Sequence, residues 1–215
     1  MSKKPKASHP RAGRPTREQA EQRHDELLSH ALDLFLEKGY ELATIDAIAS
    51  AVNMTKRTVY ARYEDKAALF KAAVQRAIEQ SMSRAVDMRT LETDNIEETL
   101  LEVARKRLAH LLTPEGLKLQ RIINTESYRF PEIFTMNFRQ STGQLVAYLT
   151  ELLANHAQEL DIPEEDLPRA AVSFMALVIS GPTRFVVSGN KLSAEELEAH
   201  VRFTVGLFLN GIRRR

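Results

Sequence analysis

Lys56, Arg57 and Thr58 stand in succession immediately after a threonine, and they carry the strongest chemical signal in the chain. Thr55 can offer its side-chain oxygen to the first unpaired N–H groups of a helix, so the three residues become that helix's exposed opening turn. A helix N-terminus has free N–H donors and a partial positive charge. Adding an ammonium, a guanidinium and hydroxyls suits it to phosphates and base edges. Other chemistry is poorly provided for. Cysteine is absent, which excludes disulfides, thiolate-ligated zinc and thiol catalysis. There is no His-Glu-x-x-His, no glycine-rich phosphate loop of either common type, and no histidine near a nucleophile elbow. His24 and His30 do not share a helical face, so metal ligation is not expected. Neither an enzyme nor a cofactor is expected.

The elements that must position that turn are short. Ile45, Ile48, Ala49 and Val52 recur at helical spacing, with Thr44 as a cap, and Asn53-Met54 interrupts the pattern before Thr55. The stretch 44–63 thus reads as two helices joined by a turn. Ahead of it, Leu27, Leu28, Ala31, Leu34 and Phe35 form a helical stripe over 17–38, which Gly39 stops. Behind it, Asp65 caps a helix through Leu69, Phe70, Ala73 and Ala77, expected to reach about Met88.

The first 17 residues hold Lys3, Lys4, Lys6, Arg11, Arg14 and Arg17 with no acid, and read either as a solubilising tail or as a phosphate-seeking arm. An extended Gly13-Arg14-Pro15 segment can lie in a narrow A·T minor groove, where Arg14 meets enhanced negative potential.

From residue 89 on, the chain reads as further helices. A linker at 89–94 precedes an amphipathic helix through Ile96, Leu100, Val103, Ala104, Leu108 and Leu111. Pro114 begins another, running to about Tyr128, and Pro131 the next, running toward Leu160. The segments 170–187 and 193–213 are the most apolar, and Ser193 with Glu196 makes a capping box. Apolar residues surround much of both, so a second buried face is implied. Two such helices per subunit can pair with their copies in a four-helix dimer interface, with Phe174, Val178, Val201, Val205 and Phe208 expected there; a hairpin buried within one chain is the alternative.

At 215 residues and 43% hydrophobic the chain can bury one large core or two modest ones. No apolar run approaches the roughly 18 or more residues of a membrane span, and the start lacks a signal peptide's apolar centre, so a soluble, cytoplasmic protein is expected. With no sustained strand alternation, the expected fold is all-α with about nine helices.

These residues resemble the tetracycline-repressor (TetR) family of bacterial transcription regulators. The likeness covers about residues 14–75: Gly13-Arg14-Pro15-Thr16, Ala31-Leu32-Asp33-Leu34-Phe35 with Lys38-Gly39-Tyr40, Ala43-Thr44-Ile45-Asp46-Ala47-Ile48-Ala49, and Thr55 through Lys66. The resemblance implies a flexible basic arm (1–17), a three-helix helix-turn-helix domain (18–64), a connecting helix (65–88) and a regulatory, dimerising domain (89–215). It implies that Thr44 donates to a phosphate, that Tyr60 and Lys66 grip the DNA backbone, and that Lys56, Arg57 and Thr58 reach base edges of double-stranded operator DNA. Tyr63 falls where the family usually has phenylalanine and is expected in the core.

The segment Glu126-Ser127-Tyr128-Arg129-Phe130-Pro131 resembles the AefR-like subgroup. That likeness implies a homodimer with a pocket for a small hydrophobic or amphipathic effector that relieves repression. Phe130, Phe134, Met136, Phe138, Met175 and Phe185 are the expected apolar lining, with His110, Arg121, Glu126 and Arg184 as polar anchors. A helical protein-binding adaptor is the alternative reading.

Overall fold

The computed structural model describes residues 16–83 and 87–213. Four helices come first: α1 (Arg17–Leu42), α2 (Ile45–Ala51), α3 (Lys56–Tyr60) and α4 (Lys66–Ser83). Thr16 opens α1 with a capping box to Gln19, and Gly39 breaks it at φ 76°, ψ 164°, a region that only glycine enters freely. The regular helix therefore stops where the sequence places its end, and one further turn follows. The described part of α4 ends at Ser83, and by Met88 the chain is in a 3-10 turn (Met88–Leu91) capped by Asp87. The expectation of a helix out to Met88 is thus corrected: the Asp87 carboxylate accepts the Arg89 N–H at 3.0 Å and starts a separate turn.

The remaining helices are α5 (Ile96–Leu111), α6 (Pro114–Glu126), α7 (Pro131–Asn137), α8 (Gly143–Asn155), α9 (Leu167–Val187) and α10 (Ala194–Ile212). A π-helical turn, Phe138–Thr142, joins α7 to α8, so the two form one bulged helix and the described residues make nine continuous helices. No strand occurs among them; an isolated antiparallel bridge ties Leu160 to Arg213. Between α5 and α6 the backbones approach so closely that a Cβ on Gly116 would sit 2.6 Å from the Leu111 carbonyl oxygen.

Two hydrophobic cores result. One joins α1–α4 to α6 and α7 through Phe35, Ile48, Val59, Phe70, Ile122 and Ile133. The other joins α5, α8, α9 and α10 through Leu100, Leu149, Phe174, Val178, Val205 and Phe208. A segment of α9 with its lead-in, Glu164–Val187, is long and apolar enough to cross a membrane, which corrects the expectation that no apolar run approaches that length. Its buried residues Leu167, Ala171, Phe174, Met175 and Val178 belong to the second core. Pro182 lies inside that helix and removes the N–H that would reach the Val178 carbonyl. His200 of α10 replaces the missing donor, its Nε2 lying 3.0 Å from that oxygen.

Candidate nucleic-acid interface and ligand cavities

Thr44 caps α2, its hydroxyl oxygen accepting the Ala47 N–H at 3.2 Å. The turn that follows is closed by the Met54 N–H on the Ala49 carbonyl at 2.9 Å, with Asn53 in the left-handed region at φ 54°. Asparagine tolerates that conformation better than most residues. Thr55 then accepts the Thr58 N–H at 3.1 Å, and the two hydroxyls share a hydrogen bond at 2.8 Å. Ile45, Ile48, Ala49 and Val59 are buried beneath, which anchors a five-residue α3 too short to persist alone.

The outer side of α3 is where the chemistry lies. Lys56, Arg57, Thr58 and Tyr60 are all exposed. Lys56 pairs with Asp46 of α2 at 2.9 Å, and this hydrogen bond holds its ammonium above the ordinary lysine range. Both partners are at least half exposed, so the pair is weak and Lys56 can exchange Asp46 for a phosphate. Arg57 has neither a salt bridge nor a side-chain hydrogen bond among the described residues, leaving its planar fork of donors unspent. Thr44, Thr55, Lys56, Arg57, Thr58 and Tyr60 thus share one edge of the molecule. Asp46 was missed; an acid on the first helix opposite the second helix's lysine was the available signal. Arg14 lies outside the described residues.

Lys66 behaves differently from its expected role as a DNA clamp. Its ammonium donates to the carbonyls of Tyr40 (2.8 Å), Glu41 (3.1 Å) and Ala43 (3.1 Å) at the end of α1, and lies 4.5 Å from the Tyr40 ring centre. An ammonium has three donors, and all three are engaged. Lys66 is a tie between α1 and α4 and has no N–H left for a phosphate. Tyr63 is half-buried, and its hydroxyl shares a hydrogen bond with His24 of α1. Burial, followed by the charge on Arg62, holds His24 below the ordinary histidine range.

Two cavities open beside α5. One, of about 390 Å³, lies among α1, α4, α5 and α6, with Arg76, Gln80, Ser81, His110 and Gly116 in its wall. The second, of about 420 Å³, lies where α4, α5, the π turn and α8 meet, with Met82, Ser141, Leu145 and Tyr148 in its wall. Arg107 and Met88 line both. Of the expected effector residues only His110 lines either cavity, its Nε2 2.8 Å from the Ser81 hydroxyl.

The others are placed elsewhere, which corrects the expected pocket. Phe130 fills the first core, 4.8 Å from Tyr40 and 4.9 Å from Phe70 between ring centres. Met136 packs at the edge of that core, and Met175 is buried in the second. Phe134 and Phe138 stack on each other at the surface, and Phe185 and Arg184 are exposed. Arg121 edges a separate cleft with Leu117 and Val187, and Glu126 lines none of the cavities described. Arg107 was overlooked although it falls on the stripe Leu100, Val103, Ala104, Leu108, Leu111, where a cation is out of place.

The expected interface residues are corrected too. Phe174, Val178, Val201, Val205 and Phe208 are buried in the chain's own core. The side chains that α9 and α10 leave outward are Val172, Leu177, Phe185, Val187, Phe203 and Leu207, with Phe203 70% exposed.

Residues 27–73 match the family model of bacterial regulatory proteins, tetR family, and residues 98–211 match that of the AefR-like transcriptional repressor, C-terminal domain. A putative TetR-family transcriptional regulator from Mesorhizobium loti has a similar structure, with a TM-score of 0.74 at 26% identity over 93% of this chain and 100% of that one. The flavonoid-responsive regulator FrrA is similar with a TM-score of 0.69 at 28% identity, over 91% and 99% of the two chains. The Staphylococcus epidermidis negative transcriptional regulator IcaR of the biofilm operon icaADBC is 35% identical over 51 residues. That match spans 24% of this chain and 28% of the relative's length.

Proposed function

The chain belongs to the tetR family of bacterial regulatory proteins, with an AefR-like C-terminal domain, and from that premise we propose that it represses transcription as an operator-bound homodimer released by a small effector. The observation that carries this reading is the exposed edge of α2 and α3, where Arg57 has no partner and Lys56 is held only by an exposed acid. Arg57 and Lys56 reach base edges in the major groove, while Thr44 and Tyr60 contact phosphates and set the register. The likeness to the negative regulator IcaR supports repression through DNA binding; the flavonoid-responsive relative supports release by a small molecule. Catalysis has no part in this reading, and the family's members are generally not enzymes.

Two copies meet through the outward apolar side chains of α9 and α10, with Leu177 and Phe203 among those covered. A two-fold axis then brings both α3 helices to successive major-groove faces of a near-palindrome, roughly 34–36 Å apart or at a longer multiple. The cytoplasm, and the nucleoid when DNA is bound, is the corresponding location. A protection footprint on the DNA flanking the gene tests the reading. A protected near-palindrome, with Arg57→Ala costing about 1–3 kcal/mol of operator affinity, is expected. Binding indifferent to sequence at moderate salt overturns it.

A further inference from the structure

We infer that the cavity where α4, α5 and α8 meet takes a small amphipathic carboxylate, with Arg107 receiving the anion and Tyr148 donating a second hydrogen bond. The inference rests on the effector reading above and gives the effector a chemical class.

Arg107 is the reason. Other guanidinium groups in the cavity walls have carboxylate partners: Arg76 pairs with Asp25 of α1, and Arg89 pairs with Glu151 of α8 at 2.7 Å. Of the lysines lining the first cavity, Lys118 pairs with Asp33 at 2.7 Å and Lys106 is exposed to solvent. Arg107 has no ion pair and no side-chain hydrogen bond among the described residues, and its Nε is buried without a partner. Burial alone pushes its guanidinium below the ordinary arginine range. The group remains charged even so, because arginine does not deprotonate in proteins. The residue as a whole is half-buried, and a guanidinium with its Nε shut away from solvent and no counter-ion is costly, since such groups are ordinarily paired.

Arg107 is also placed to meet a ligand, since it lines both cavities. The Tyr148 hydroxyl is buried in the same wall with no partner within 3.5 Å, though the Glu92 carboxylate stands near enough to attract its proton, so a bound carboxylate competes with Glu92 for this donor. Burial first, and the Glu92 carboxylate second, push its pKa up to about 12, so it remains a protonated donor at neutral pH. Asp87, the acid in that wall, already accepts the Arg89 backbone N–H at 3.0 Å. Leu145, Met82 and Met88 supply an apolar surface for the body of the molecule. A guanidinium's parallel donors match the two oxygens of a carboxylate better than any single acceptor.

Decanoate and benzoate, each compared with its carboxamide, are the probes. They are titrated against the full chain by calorimetry, with thermal unfolding and operator binding followed in the same samples. At least one carboxylate is expected to bind tenfold or more tightly than its amide and to weaken operator binding; the decanoate and benzoate arms separate an aliphatic source from an aromatic one. Arg107→Met is expected to abolish the preference while raising the ligand-free Tm, because it removes the uncompensated cation. Should that variant fail to fold, Arg107→Lys is expected to retain a reduced preference, and Tyr148→Phe to lower it several-fold. Equal binding of acids and amides, or a preference that survives Arg107→Met, overturns the site. Operator binding by ligand-free protein is read independently, so a sound regulator without an anion site is distinguishable from a protein that does not bind DNA.

Discussion

The core beneath the recognition helix and the core that ends the chain are built by different means. The first is aromatic, with Phe35, Tyr40, Phe70 and Phe130 meeting at ring-centre separations of 4.8–5.7 Å. Ion pairs stitch its rim: Asp25–Arg76, Asp33–Lys118, Glu41–Arg129 and Lys71–Glu132. The second is largely aliphatic, with one close aromatic pair, Phe174–Phe208 at 5.0 Å. The boundary between them does not follow the chain. α6 and α7 pack with the first four helices, whereas α5, which precedes them, packs with the last three. Arg107, on α5, therefore stands where the two bodies meet, so the proposed ligand, seated there, would act on their relative position. Coupling energies of about 1–3 kcal/mol suffice to shift operator affinity.

The largest expected effects test whether these are two bodies. Phe70→Ala should cost about 3–5 kcal/mol in denaturant unfolding, and Ile122→Ala and Leu149→Ala about 2–5 kcal/mol each. Hydrogen exchange then separates them: Ile122→Ala should speed exchange of the α2–α3 amides, and Leu149→Ala should not. Equal acceleration by both would merge the two bodies into one.

Within the first body, Lys66 and Arg57 should dissociate stability from DNA affinity. Lys66→Met removes three carbonyl bonds and is expected to cost about 1.5–3 kcal/mol of stability. Arg57→Ala should leave stability within about 0.5 kcal/mol while weakening operator binding. Unfolding midpoints and DNA anisotropy on the same two variants decide the matter. In the second body, His200→Phe leaves the Val178 carbonyl beside Pro182 without a donor, an expected loss of about 1–3 kcal/mol.

The smallest effect is a pH slope in the first body. His24 titrates lower in the fold than an ordinary histidine at 6.5, so the unfolded chain takes up protons first. Stability should be full above pH 6.5 and decline as pH falls below it toward the folded value, where the loss levels off. Thermal melts from pH 8 to pH 5 should show this decline, and His24→Gln should flatten it.

The all-α fold and the main helix boundaries were legible because their signals are local. Thr16, Thr44, Thr55, Asn95 and Ser193 all cap helices through contacts two or three residues away. The inward face of α9 was not legible, since Phe174 and Val178 are no more apolar than the outward Leu177 and Phe185, and periodicity alone cannot rank two apolar faces. Lys66 misled for a related reason. Its acceptors lie 23 to 26 residues earlier, so nothing near it in sequence shows that its donors are spent. On the exposed edge of α2 and α3 the caps of Thr44 and Thr55 act through neighbours three residues away, while the lining of the two cavities depends on how distant helices meet.

The sharing of α6 and α7 with the first four helices also sets the order of events during synthesis. When α4 has left the ribosome, the Phe70 ring still lacks Phe130, and Ile122 and Ile133 have not yet been made. At roughly 5–20 residues per second their arrival takes several seconds more. Through that interval the nascent first body carries an uncovered apolar patch, which is buried when α6 and α7 dock.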